Sequence, residues 1–151
     1  MAEALTSVHG RKLGLGAAGQ LTAHGIDISQ PCANATITVS AEGATTANVR
    51  DIRIQLLDAN GKDIDYVEEV EIALFLTADR LAYVATGGST GIEIDGDGAL
   101  STIVAKKRFY ATSEADGDIG LKWTDTGTEV AFLGVKLPGG RYVMSSSLAN
   151  T

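Results

Sequence analysis

The strongest constraint on the fold is a period-two alternation of apolar and polar residues that begins near residue 35. In the clearest run, Ile52, Ile54 and Leu56 fall on one face, whereas Arg53 and Gln55 fall on the other. This period is the signature of a β-strand with one buried face. Turn sequences interrupt such runs about every eight to twelve residues, a spacing typical of sandwiches and barrels. The pattern therefore predicts an all-β sandwich of roughly seven to nine antiparallel strands over residues 35–151.

Individual turns and strands follow from the same pattern. The pair Asn60-Gly61 carries the strongest short-range hairpin-turn signal, and it precedes an alternating run over residues 70–76 that is predicted to be half-buried. Residues 108–112 and 119–124 are expected to be the two arms of a hairpin. Further strands are expected over residues 81–85, 100–104 and 130–137, the last of them central.

Residues 1–34 differ from the rest, because they are rich in Gly and Ala and lack a sustained hydrophobic period. Each glycine weakens a helix by about 1 kcal/mol relative to alanine, so we predict an extended N-terminal arm here. Two interpretations stay open: the arm lies flat on another protein surface, or it is a Gly-rich terminus that docks nowhere. In the first interpretation, the anchoring surface consists of the apolar residues Leu13, Leu15, Leu21, Ile26 and Ile28.

The formal net charge of −7 limits the partners that the chain can have. Residues 1–34 carry two acids and two basic residues, so the whole net charge lies on the predicted sandwich. An acidic surface repels phosphates and anionic lipids, and we therefore expect neither nucleic acid nor a membrane as a partner. The one basic run, Lys106-Lys107-Arg108, is interpreted as a solvated strand end, with a partner site as the alternative.

Cysteine use and the absence of a signal sequence indicate where the chain folds. Cys32 is the single cysteine, so no intrachain disulfide can form, and this suits a reducing cytoplasm. With Pro31 before it and no charged neighbour, Cys32 is expected to be inert. No stretch approaches the length of a membrane span, and no basic region followed by an apolar run indicates secretion.

Two glycine motifs resemble cofactor-binding or catalytic signatures. Residues 14–19 fit the dinucleotide fingerprint G-x-G-x-x-G, but neither the strand before it nor the helix after it is predicted. Residues 87–91 fit the nucleophile elbow G-x-S-x-G, but the two histidines, His9 and His24, both lie in the arm. A loop between strands is the expected structure at residues 87–91, and we expect no cofactor and no enzymatic activity.

An acidic run over residues 93–98 resembles the start of a calcium loop. Acids stand at its first, third and fifth positions and Gly at its sixth, but Val104 stands at the twelfth, where calcium loops have a bidentate Glu. Glu114, Asp116 and Asp118 repeat the pattern more weakly. Because Asp and Gly are also ordinary turn residues, we predict turns here and no metal site.

Three segments carry a resemblance to a known class of domain. Residues 54–62 (Ile-Gln-Leu-Leu-Asp-Ala-Asn-Gly-Lys) resemble the strand-and-turn signature of bacterial and phage immunoglobulin-like domains, and residues 94–100 resemble their later Asp/Gly turns. Residues 132–143 are similar to a closing hairpin in small tailed-phage virion proteins. The resemblance covers about residues 36–148. It implies an immunoglobulin-like sandwich outside the antibody branch, since the Cys-Trp-Cys core of antibody domains is missing.

The resemblance also implies a function, by analogy with fold and length. Proteins of this kind are head decoration proteins, head fibres or domains of tail proteins, and one short domain with its own Met1 favours a stand-alone decoration or cement protein. The expected partners are the major capsid protein and neighbouring copies of the chain, in a homo-oligomer on the capsid surface of the virion, after synthesis in the host cytoplasm. The arm would dock on the shell, and the acidic sandwich would face solvent.

An alternative function is a tail-associated or host-surface module that binds glycans through loops such as residues 86–91 or 113–118. Aromatic side chains that stack on sugars are few, at 5% of the residues, and this weighs against it. An enzyme is the third possibility, and it lacks a convincing base, nucleophile or metal constellation.

Overall fold

The computed structural model describes residues 4–8, 11–15, 21–23, 26–27, 31–44 and 46–150. The chain divides into two compact units, Met1–Pro31 and Cys32–Thr151. Every regular secondary-structure element in the described ranges is a β-strand, so the all-β prediction is confirmed. No helix in these ranges is long and apolar enough to cross a membrane.

The first unit contains a small antiparallel sheet in which four strands pair in chain order. These strands are β1 (Ala4–Val8), β2 (Arg11–Leu15), β3 (Leu21–Ala23) and β4 (Ile26–Asp27). The prediction of an extended arm is not confirmed, because the described part of this segment pairs with itself. Short strands joined by Gly-rich connections give the same absence of a helical period that an open arm would give.

The second unit is a β-sandwich of two antiparallel sheets. Its strands within residues 31–44 and 46–150 are β5 (Asn34–Val39), β6 (Val49–Leu57), β7 (Glu69–Phe75), β8 (Gly91–Ile94), β9 (Ala99–Val104), β10 (Arg108–Thr112), β11 (Asp118–Thr124), β12 (Phe132–Lys136) and β13 (Tyr142–Ser147). The five-stranded sheet has the order β13-β12-β7-β10-β9, and the four-stranded sheet has the order β5-β6-β11-β8. Cys32 is buried in the core of this unit, and the Ala33 N–H donates to Leu57 O at 2.9 Å.

The core lies between the two sheets, where the period-two runs place their apolar faces. The four-stranded sheet contributes the fully buried side chains of Ile52, Ile54, Leu56, Ile119, Leu121 and Trp123. The register of β6 and β11 sets Ile54 opposite Ile119 and Ile52 opposite Leu121. Each such side chain stabilises the fold by about 1.5–3 kcal/mol through burial, so these two central strands hold much of the core.

Strand β7 is half-buried only where it begins. Glu69 is exposed there, but at the other end of the strand Ala73, Leu74 and Phe75 are all buried, on both faces. The second face is covered because Tyr83 and Tyr142 pack against Phe75. Strand β12 lies between β13 and β7, which confirms the prediction of an interior strand over residues 130–137.

The predicted hairpin between residues 108–112 and 119–124 is wrong. Both segments are strands, but β10 pairs with β7 and β9, whereas β11 pairs with β6 and β8 in the other sheet. The turn between them closes locally, with hydrogen bonds from Glu114 N to Asp118 O and from Gly117 N to Glu114 O. The chain then crosses from one sheet to the other, and local turn residues do not encode that choice.

The Asn60-Gly61 turn forms, but it does not join two long paired strands. Gly61 has a φ of +79°, and the Asp58 carboxylate accepts the N–H groups of Asn60 and Lys62. Beyond the turn, pairing is limited to one bridge between Leu57 and Asp63, after which the chain moves to the other sheet. The strand predicted over residues 81–85 is likewise reduced to one bridge, between Phe75 and Tyr83.

Candidate functional site

The predicted anchoring residues lie in the first unit. Leu15 pairs directly with Leu21, and Ala23 lies opposite both Leu13 and Ile26. Directly opposed residues share a face of a sheet, as do residues two apart on one strand. The register therefore places positions 13, 15, 21 and 26 on one face of the small sheet. Ile28 lies outside the described residues.

The glycine-rich loop at residues 86–91, here called the clasped loop, is held by a carboxylate from a distant part of the chain. Glu129 accepts the Thr86 hydroxyl at 2.6 Å and the backbone N–H groups of Thr86, Gly87 and Gly88 at 3.0, 2.8 and 2.9 Å. Burial alone would raise the pKa of Glu129, but these hydrogen bonds outweigh it and lower the pKa to about 2. Glu129 is thus ionised at neutral pH, and both of its carboxylate oxygens accept hydrogen bonds from the loop.

Ser89, the serine of the clasped loop, forms hydrogen bonds within the fold. Its hydroxyl donates to Thr124 O at 3.4 Å and accepts the Thr126 N–H at 3.1 Å, while its own N–H donates to the Asp125 carboxylate at 3.1 Å. The loop leads into strand β8, not into the helix that a nucleophile elbow requires. Both histidines lie outside the described residues. The described geometry therefore gives Ser89 the role of a loop-anchoring residue.

The acidic turn at residues 95–98, here called the Asp97 turn, has one of its carboxylates paired with an arginine. Arg53 Nη1 forms an ion pair with Asp97 and lies 3.9 Å from Asp118 Oδ2. The hydrogen bond that Arg53 donates to the Asp97 carboxylate raises the pKa of Arg53 above its ordinary value. In the described part of the chain, no group of three or more His, Cys, Asp or Glu residues is arranged to hold a metal ion.

Cys32 is a core residue. Burial, with a smaller contribution from the negative charge of Glu68, raises the pKa of its thiol to about 11. The thiol is therefore protonated at neutral pH, and its Sγ lies 3.7 Å from Asn34 O. A protonated, buried thiol is a poor nucleophile and a poor metal ligand.

Two residues of the basic run at residues 106–108 form hydrogen bonds within the fold. Lys106 Nζ donates to Ser89 O at 2.5 Å, which ties the run to the clasped loop. Arg108 donates to Glu71 Oε1 from Nε at 3.0 Å and from Nη2 at 2.5 Å. Lys107 forms no ion pair with any acid in residues 31–44 or 46–150.

Sequence reasoning missed an aromatic cleft on the outer face of the five-stranded sheet. The Phe75 ring stacks on Tyr83 with centroids 5.1 Å apart, and it meets Tyr142 edge to face at 5.7 Å. The Arg80 guanidinium lies 4.8 Å from the centre of the Tyr142 ring. The cleft has a volume of about 510 Å³ and is lined by Phe75, Arg80, Tyr83, Gly140, Arg141 and Tyr142.

Arg80 makes this cleft chemically distinct. Its φ of +63° is unusual for a residue with a side chain and costs about 1–2 kcal/mol. No acid in the described ranges pairs with it, whereas Arg141 donates to Ala33 O and Asn34 Oδ1. The arrangement can receive an anionic group beside a ring. The sequence carries no signal for it, because neither the backbone conformation nor the meeting of residues 80 and 142 is local.

Comparison of the chain with protein-family models, with curated proteins and with solved structures gives no match.

Proposed function

We propose that the chain is a virion structural protein of a tailed phage, with an immunoglobulin-like sandwich that decorates the capsid. The order of the strands in the two sheets supports the immunoglobulin-like fold in this proposal. An immunoglobulin domain of the constant type has sheets A-B-E-D and G-F-C. The order β5-β6-β11-β8 matches the first, and β13-β12-β7 matches the second.

The match has two departures, and both fit a branch outside the antibody domains. A β9–β10 hairpin is inserted between the strands equivalent to D and E, and it extends the sheet that contains β7. The buried tryptophan is Trp123 on β11, at the position of strand E, whereas antibody domains carry theirs on strand C.

The capsid part of the proposal rests on the turn-sequence resemblance and on the organisation of the chain into two units. The second unit has its own hydrophobic core. In the first unit, the register collects Leu13, Leu15, Leu21 and Ile26 on one face of a small sheet. Such a face is suited to docking on the major capsid protein or on a neighbouring copy.

The experiment is co-sedimentation of the full chain with capsids of the phage whose genome encodes it, after removal of their decoration protein. We expect saturable binding at a stoichiometry matched to the shell subunits. A Leu15→Asp/Leu21→Asp variant should lose binding, because it places charges on the proposed anchoring face. Thr22→Asp is the matched control, since residue 22 lies on the same strand but on the opposite face. Undiminished binding by the leucine variant would refute the anchoring role, and absence of binding by the natural chain would refute the decoration role.

The aromatic cleft favours a second candidate function, a host-surface module that binds glycans. Tyr83 is 46% exposed, and aromatic rings beside Arg80 suit a sugar that carries a carboxylate. The test is titration with a sialylated oligosaccharide, followed by NMR. Arg80→Ala should abolish the spectral changes, whereas the exposed control Lys62→Ala should leave them intact. A natural chain whose spectrum does not respond would remove this candidate.

A further inference from the structure

Strand β9 forms one edge of the five-stranded sheet and is largely exposed, apart from Leu100, which packs against the core. Five of its six residues are exposed, and Leu100 is the exception. Ile103 and Val104 are 36% and 42% exposed, and Tyr110 on the adjacent strand β10 is 44% exposed. A strand with one partly buried residue gains little from burial within one copy of the chain. Its exposed apolar residues would gain burial if a partner strand covered them.

This edge has few of the features that usually protect edge strands from pairing. Such protection comes from charged side chains, proline, bulges or very short length. The sequence of β9, Ala-Leu-Ser-Thr-Ile-Val, has no charge and no proline, and its one irregularity is a shift in the pairing register with β10 between Thr102 and Val104. Edge strand β8 in the other sheet has four residues and carries Glu93. Strand β9 is thus open to pairing with another strand.

Opposite charges stand at the two ends of β9. Lys106 and Lys107 follow its C-terminal end; Lys106 donates to Ser89 O, and Lys107 has no acidic partner among the described residues. At its N-terminal end, Asp95 and Asp97 precede the strand, Asp97 in its ion pair with Arg53, and the Glu114 carboxylate accepts the Gly98 N–H at 3.1 Å. The positively charged end of β9 in one copy would therefore attract the negatively charged end of β9 in another copy.

We propose that β9 pairs antiparallel with β9 of a second copy of this chain, which joins the two five-stranded sheets across a two-fold axis. A two-fold contact uses the same patch on both copies. Antiparallel pairing centred between Ser101 and Thr102 sets the lysines of each copy beside the acids of the other, twice per dimer. A parallel arrangement would bring like charges together. An uncharged strand with complementary ends fits a second copy better than an unrelated partner.

This inference goes beyond the proposed function, and its test needs no capsid. A strand of six residues is about 20 Å long, so the contact is small and the dimer should exchange with monomer. Sedimentation velocity of the full chain over a range of concentrations should show a shift from 15.6 kDa toward twice that mass. A single 15.6 kDa species at every concentration would overturn the proposal.

Ser101→Lys should raise the dissociation constant at least tenfold, because it places two lysines beside the two-fold axis. The matched control is Ser146→Lys on β13, an exposed serine on the other edge of the same sheet. The control should dimerise as the natural chain does. A dimer unaffected by Ser101→Lys would show that another surface makes the contact, and would equally overturn the proposal.

A charge swap gives a second, independent readout. Lys107→Glu alone and Glu114→Lys alone should each weaken the dimer, and the double variant should recover affinity because the complementary pairs are re-formed with reversed sign. Circular dichroism of each variant verifies the fold. Rescue in the double variant cannot arise from a folding defect, since two such defects would add. Weakening without rescue would contradict the proposed antiparallel arrangement.

Discussion

The clasped loop and the Asp97 turn are both glycine-rich, both resemble functional motifs, and both are held by a carboxylate, yet the two are built differently. In the clasped loop, Glu129 accepts several backbone N–H groups, and Trp123 Nε1 donates to Gly87 O at 3.1 Å from within the core. In the Asp97 turn, Asp97 meets Arg53 in an ion pair whose side chains are 47% and 50% exposed.

The difference shows how a motif can resemble a site and still serve the fold. A carboxylate that satisfies main-chain donors replaces hydrogen bonds that the loop would otherwise leave unmade. An exposed ion pair is solvated on both sides and adds little. We therefore expect changes in the clasped loop to cost much more stability than matched changes in the Asp97 turn.

The largest expected effect is that of Gly87→Ala. A Cβ on Gly87 would lie 2.1 Å from Lys106 O, a backbone atom that cannot move without the β9–β10 connection, and the φ of +84° adds strain. We expect a loss of more than about 4 kcal/mol in the free energy of unfolding, or no folded protein. Urea denaturation followed by tryptophan fluorescence measures it, since Trp123 is the single tryptophan.

Glu129→Ala should have the next largest effect. It leaves the N–H groups of Thr86, Gly87 and Gly88 without their acceptor, and we expect a loss of about 2 kcal/mol, since water reaches part of the loop. Urea denaturation of both proteins provides the measurement. Equal midpoints would mean that water replaces the carboxylate at no cost, and the clasp would then have no energetic importance.

The same carboxylate predicts a pH dependence. Because the pKa of Glu129 is about 2 in the folded chain against an ordinary 4.5, its ionised form favours folding above about pH 4.5. That contribution is lost as the pH falls from about 4.5 toward 2. Glu129→Gln should therefore show a shallower decline in stability than the natural chain over this window. Glu69→Gln, which removes an exposed acid that forms no ion pair with the described residues, is the control and should follow the natural chain.

Gly96→Ala tests the Asp97 turn with the substitution used in the clasped loop. Gly96 has a φ of +93°, but a Cβ there would have no atom within 4 Å, so the backbone conformation is the sole cost. We expect a loss of about 1 kcal/mol in the free energy of unfolding. A loss as large as that of Gly87→Ala would mean that the two loops do not differ in the way proposed.

The sequence predicted those parts of the fold that depend on local pattern. Alternation located β6 and β11, and turn residues located most connections, because both signals lie within a few residues. Sheet membership was not predictable: the turn after β10 looks like a hairpin turn, yet β11 belongs to the other sheet. The clasp was missed for a related reason, since Gly87 and Glu129 are 42 residues apart in the sequence and meet only in the folded structure.

The smallest expected effect is that of Asp97→Asn, which removes the charge from the ion pair with Arg53 and keeps the size of the side chain. Two half-exposed groups lose little by exchanging each other for water, and Asp118, 3.9 Å from the same guanidinium, remains as a second partner. We expect a change of less than about 0.5 kcal/mol in the free energy of unfolding, and less still in high salt, which screens exposed charges. Urea denaturation at low and high salt measures both. A loss in the free energy of unfolding as large as that of Glu129→Ala would mean that the two carboxylates stabilise the fold equally. The distinction between a carboxylate that binds main-chain N–H groups and a surface ion pair would then not hold in this protein.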